Sequence, residues 1–202
     1  MTSFYAMLHR MRYIERWGLM RNTAKENLKE HTMDVVVIAH ALALIRKRYF
    51  PEETALDPEH VALLAVFHDA TEIITGDMPT PIKYFTRELR AEYQRVEDRA
   101  ADVLLHYLPE ELREDYRALL EAPNDSTVER EERRVIKAAD TLSAYIKCLD
   151  ERNMGNREFL SAEATTLAKL KAYAMPEVDW FLDHAIPAYE RTLDDLGEQL
   201  EK

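Results

Sequence analysis

Apolar residues recur along this chain at helical spacing, in segments separated by short polar breaks. The opening stretch, "MTSFYAMLHRMRYIERW", sets Phe4, Leu8 and Met11 on one helical face with arginines between them. The pattern resumes near Leu28, where Asn27 can cap a helix and Glu30, three residues on, makes an Asn variant of the capping box. On that helix His31, Val35, Ile38, Leu42 and Ile45 follow the i, i+4, i+7, i+11, i+14 spacing and share a core-facing stripe, while His40 points the opposite way. A polar break with Pro51 and Pro58 leads to a helix over roughly Glu59 to Thr75, which Gly76 ends. Pro81 can open a long helix to about Tyr107, and Pro109 a shorter one. Ser126 with Glu129 forms a second capping box for a helix reaching about Arg152. Two more helices follow, the last interrupted at Pro187. No repeat, low-complexity tract or linker divides the chain, so residues 1 to 202 read as one all-α domain.

Composition agrees with that reading. Glycine occurs at four positions and charged residues make up 32% of a chain rich in Ala, Leu and Glu, a bias that favours helices over sheets. A chain of 202 residues buries a core without disulfides or a structural metal, so a metal here serves chemistry. The single cysteine, Cys148, excludes an internal disulfide and a multi-cysteine zinc site, as expected in a reducing compartment. A net charge of -11 repels a nucleic-acid polymer or an anionic membrane, although a local cation can still draw in a small phosphate ester. No signal-peptide core opens the chain, and the longest apolar run, Val35 to Ile45, is broken by His40 and shorter than the roughly 18 residues of a membrane span. The expectation is a cytoplasmic protein.

Residues 65 to 81, "AVFHDATEIITGDMPTP", begin as the end of an apolar helix and then place His68, Asp69 and Glu72 where more core is expected. On a helix His68 and Asp69 lie about 100° apart, with Glu72 at i+4 and i+3, so all three can border one pocket. The upstream "VALLAVF" implies burial, and a buried carboxylate normally pairs or binds metal. Two other helices each carry one polar residue among apolar neighbours: His31 in "KEHTMDVVVIAH" and Asp140 in "VIKAADTLSAY". Singly, His31 reads as a capping or core histidine and Asp140 as a partner of backbone or of Lys137. With His68 and Asp69 they complete a two-His, two-Asp set, which suits a divalent transition ion such as Mn, Fe, Co or Zn with positions left open for water and substrate.

The order His, then His-Asp, then Asp, on separate helices of an all-α chain, resembles the HD-domain metal-dependent phosphohydrolases. Within that family "RWGLMRNTAKENLKEH", "FHDATEIITGDMPTPIKYF", "LPEELRE" and "KAADTLSAYIKCLDE" resemble stretches of the bacterial 5′-deoxynucleotidases, in the same order across nearly the whole chain. The resemblance implies an HD-type helical bundle that hydrolyses 2′-deoxynucleoside 5′-monophosphates to nucleoside and phosphate with one divalent metal, as a homodimer. It implies His31, His68, Asp69 and Asp140 as metal ligands and Glu72 as the catalytic residue beside the metal. Arg16, also placed in catalysis, and Trp17 contact the nucleotide. Asp69 and Asp140 reach the substrate as well, and the loop of Asp77, Met78, Pro79 and Thr80 lines its site.

Read without the resemblance, an Arg guanidinium offers paired donors to phosphate and a neighbouring Trp an apolar face to sugar or base, while the same pair also fits a surface Arg beside a core Trp. Asp77 after a helix-ending Gly reads first as a turn residue. His9, His60, His106 and His184 have no second ligand at metal spacing and read as structural. An HD-type hydrolase of nucleoside triphosphates or guanosine tetraphosphate would use the same ligands but need more basic residues, and apart from Lys83 few surround these motifs. A helical interaction module without turnover is the alternative from another class.

Overall fold

A computed structural model describes residues 2–79, 82, 85–120 and 126–197. Helices build the fold: α1 (Phe4–His9) with a 3-10 turn at Arg10–Tyr13, α2 (Leu28–Tyr49), α3 (Pro58–Val66), α4 (Glu72–Thr75), α5 (Arg87–His106) and α6 (Glu110–Leu120). These are followed by α7 (Thr127–Asn153), α8 (Leu160–Ala172), α9 (Pro176–His184), a 3-10 turn at Ile186–Glu190 and α10 (Leu193–Gly197). Among the described residues the extended pairing consists of one bridge, Glu15 with Asn27.

The predicted box starts α2: Asn27 Oδ1 accepts the Lys29 and Glu30 amides at 3.0 and 3.1 Å, and the Glu30 carboxylate accepts the Asn27 N–H at 3.2 Å. The predicted stripe of His31, Val35, Ile38, Leu42 and Ile45 is buried. It packs with Val61, Leu64 and Ala65 of α3, Val135, Leu142 and Leu149 of α7, Leu170 of α8 and Val178 and Phe181 of α9. Each fully buried Leu, Val or Phe contributes roughly 1.5–3 kcal/mol. A second cluster, Phe4, Phe67, Ala70, Leu104, Leu105 and Leu108, seats α1 and α5. Arg46 of α2 is buried yet compensated: Nε donates to Glu177 of α9 at 2.9 Å and Nη1 to Glu131 of α7 at 3.0 Å.

The helix predicted over Glu59 to Thr75 is two helices. α3 stops at Val66 and α4 starts at Glu72, with His68 and Asp69 in the intervening turn. Two physical causes act there. His68 Nδ1 donates to the Ala65 carbonyl at 2.8 Å, occupying an acceptor that a continuing helix would use. The chain also passes from one core to the other, since Leu64 and Ala65 belong to the first cluster and Phe67 and Ala70 to the second. Gly76, at φ 73°, ends α4 as expected. The long helix begins at Arg87, where Thr86 Oγ1 accepts the Leu89 N–H at 3.0 Å, rather than at Pro81, which lies outside the described residues. At Ser126 the cap forms, with Oγ accepting the Glu129 N–H at 3.1 Å. The last interruption falls before Pro187.

Candidate metal centre and substrate cleft

Three segments deliver the four predicted ligands to one place: α2 carries His31, the α3–α4 turn His68 and Asp69, and α7 Asp140. One donor atom from each lies within 4.8 Å of the others. His31 Nε2 is 3.2 Å from Asp140 Oδ1 and 3.6 Å from Asp69 Oδ2, and His68 Nε2 is 3.1 Å from Asp69 Oδ2. The expectation that one helical turn presents His68, Asp69 and Glu72 together is corrected by the break: a turn aims the first two, and Glu72, buried, opens α4.

The donor chemistry fits a cation. The Ala65 carbonyl can only accept, so His68 carries its proton on Nδ1 and leaves the Nε2 lone pair bare. His31 Nδ1 faces Ser143 Oγ at 3.0 Å and the Glu26 carboxylate at 3.4 Å, which holds its proton on that side too. Both Nε2 atoms are buried with no hydrogen-bond partner among the described residues. Burial opposes a charge on His31, but the Asp140 and Glu26 carboxylates outweigh it and raise its pKa to about 9. Burial likewise opposes ionised Asp69, and the His68 imidazole beside it prevails, bringing the carboxyl down to about 2. Asp140 is held well below the usual carboxylate range against its burial by His31 and Lys137. A metal ion would displace the proton that these carboxylates hold on His31, and two imidazole nitrogens beside two ionised carboxylates are then a cation site.

This cluster lies at one side of a cleft of about 620 Å³, whose lining includes Arg16, Trp17, Asp69, Glu72, Asp77, Met78, Pro79 and Asp140. That volume is in the range of small-molecule sites. Thr80 lies outside the described residues. Arg16 and Trp17 sit on a loop closed at its base by the Arg16 N–H to Glu26 carbonyl bond at 3.0 Å and the Leu28 N–H to Ile14 carbonyl bond at 2.9 Å. The Arg16 guanidinium lies 3.6 Å from Glu26 and 3.7 Å from Asp69. Trp17 has φ 59°, a left-handed conformation. Its indole N–H donates to Glu26 at 2.8 Å and its ring packs on Phe159.

The model of the YfbR-like 5′-deoxynucleotidases matches residues 3–189. The chain belongs to that family. It is similar to the 5′-deoxynucleotidase of Pectobacterium atrosepticum, 45% identical over 197 residues covering 98% of this chain and 96% of the relative. It is also similar to the 5′-deoxynucleotidase of Vibrio atlanticus, 42% identical over 196 residues covering 97% and 98%. Among solved structures it resembles an HD-domain phosphohydrolase from Listeria innocua, with TM-score 0.74, 23% identity and coverage of 93% of this chain and 88% of the other. The cyanophage S-2L HD phosphohydrolase bound to dA and one catalytic Zn²⁺ gives TM-score 0.62 at 20% identity, over 91% and 96%. These two likenesses place the all-α fold among HD phosphohydrolases, and membership of the 5′-deoxynucleotidase family makes the chain a hydrolase.

Several site residues of this family member were not singled out from its sequence. Glu26 touches Arg16, Trp17 and His31 at once, and Ser143 touches His31. Glu26 is one acid in a stretch dense with charge, and Ser143 a small residue on a helix, so nothing in either pattern marks them. Lys137 and Lys169 line the cleft, which is therefore more basic than its motifs suggest, while Lys83 lies outside the described residues. His60, read as structural, pairs with Glu132 at 2.8 Å, away from the metal-type cluster.

Proposed function

We propose that this 5′-deoxynucleotidase family member hydrolyses 2′-deoxynucleoside 5′-monophosphates to nucleoside and inorganic phosphate in the Arg16–Asp140 cleft. His31, His68, Asp69 and Asp140 would hold one divalent ion, Mn, Fe, Co or Zn. The convergence of two imidazole nitrogens without hydrogen-bond partners and two carboxylates beside a partly buried arginine carries this reading. When bound, the ion supplies Lewis acidity, activating water near neutral pH and screening phosphoryl charge.

The chain's own groups do the rest. Arg16, braced by Glu26, presents guanidinium donors to the phosphoryl oxygens and fixes their orientation. Glu72 lines the cleft outside the converging four, where it takes a proton from the attacking water or returns one to the leaving 5′-oxygen. Trp17 and the Asp77–Pro79 loop, which line the same cleft, bound the sugar, and Asp69, Asp140 and Thr80 complete the substrate contacts.

The chain works as one catalytic domain, in line with the family match over most of its length. Resemblance to the family supports a homodimer, as do Met33, Val37 and Leu44, apolar and exposed along α2. A buried free Cys148 suits a cytoplasmic setting, and the charge of -11 disfavours polymer nucleic acid and anionic membranes as partners. Among the described residues no helix is long and apolar enough to cross a membrane.

A phosphate-release assay over deoxy- and ribonucleoside monophosphates, nucleoside triphosphates and guanosine tetraphosphate, with each of the four metals, tests the reading. Release from deoxynucleoside monophosphates with at least one metal is expected. Release confined to the polyphosphorylated substrates would overturn it.

A further inference from the structure

We infer that Lys137 is a second phosphoryl-binding residue, acting with Arg16 on the substrate's phosphate. The inference rests on the phosphomonoester reading of the cleft and adds a contact to it. Its basis is how the carboxylate oxygens are shared. Asp140 turns Oδ1 towards His31 Nε2 at 3.2 Å and Oδ2 towards Lys137 Nζ at 2.6 Å. The ammonium therefore stands beside the cation site without using the oxygen that faces it. Both residues lie on α7 at i and i+3, so a rigid helix fixes the ammonium at the cleft wall.

Charge favours a further cation on the phosphate beside Arg16. Asp69, Glu72, Asp77, Asp140 and Glu158 all line this cleft, and a phosphate dianion must enter among them. Arg16 is already shared between Glu26 and Asp69, and its side chain is 12% exposed. Lys137, by contrast, is 58% exposed and has three N–H donors, one of which meets Asp140. It is free to turn another towards an incoming phosphoryl oxygen.

The test compares Lys137→Met and Lys137→Arg with wild type, each loaded with metal and titrated calorimetrically with inorganic phosphate and, separately, with deoxyadenosine. A lost charge-assisted hydrogen bond is worth about tenfold to a hundredfold in affinity. The Met variant should weaken phosphate binding by that factor, leave deoxyadenosine affinity and metal content unchanged, and lower kcat/KM for dAMP in parallel. The Arg variant should recover part of the phosphate affinity. Unchanged phosphate affinity, an equal loss for phosphate and deoxyadenosine, or loss of the metal would each overturn the inference, the last by showing that Lys137 serves only to hold Asp140. Should wild type fail to hydrolyse dAMP while Lys137→Met still weakens phosphate binding, the substrate reading falls and this contact stands.

Discussion

The carboxylate of Glu151, fully buried on α7, accepts the backbone N–H of Thr23 at 2.9 Å, and so ties the loop bearing Arg16 and Trp17 to the helix bearing Asp140. It also accepts the Ala24 N–H at 3.1 Å and the Asn156 amide at 2.7 Å, and pairs with Lys147. Burial resists this charge, but Lys147 and the other donors outweigh it and lower the Glu151 pKa from 4.5 to about 2. The folded value is below the unfolded one, so the stabilisation is complete above pH 4.5 and is lost as pH falls from there towards 2. Glu151→Gln should therefore cost on the order of 2–3 kcal/mol at pH 7, a deficit that narrows as acid titrates the wild type. Urea midpoints of both proteins between pH 7 and 3 check it. A deficit that does not change with pH would remove Glu151 as the cause.

The ligand set predicts how metal and fold separate. His68→Ala or Asp69→Ala should lose bound ion and activity while the far-ultraviolet circular dichroism stays helical, because both residues sit in a turn and the two apolar clusters do not depend on them. Elemental analysis decides the matter: a full equivalent of ion in either variant rejects the assignment.

Glu72 separates catalysis from binding. Glu72→Ala should keep its metal and bind substrate, yet turn over about 10² to 10⁴ times more slowly, the usual worth of acid-base assistance. Turnover above a tenth of wild type would take Glu72 out of the mechanism.

Selectivity for the deoxy sugar requires a close wall, since a roomy apolar pocket rejects an added hydroxyl by only about 10²-fold. Trp17 and the Asp77 loop, which line the same cleft, are that wall in this reading. dAMP should be hydrolysed far faster than AMP, and Trp17→Ala should narrow the gap while weakening dAMP binding. Equal kcat/KM for dAMP and AMP in wild type would refute the deoxy preference. An unchanged ratio in the variant would move the wall to the 77–80 loop.

What could be read from the sequence was whatever breaks a pattern. His31 and Asp140 stand out because each interrupts an apolar helical face, and Asn27 with Glu30 because capping chemistry is local. The turn at Phe67–Thr71 was hidden because its causes are a side chain bonding back to the Ala65 carbonyl and a second core formed with distant Leu104 and Leu105. The cleft wall on α8, where Ser161, Thr165 and Lys169 face the site, looks in sequence like any solvated helix face. Glu26 was illegible for the same reason, since its three contacts exist only once the 16–26 loop has closed.

Trp17 combines a bulky side chain with a left-handed backbone, which a residue bearing a Cβ adopts at a cost of roughly 1–2 kcal/mol. Glycine would adopt the same φ without that cost. Trp17→Gly should therefore lose less stability than the missing ring packing on Phe159 would suggest. Part of the energy of that packing is thus spent on holding an aromatic face in the wall of the cleft against the preference of its own backbone.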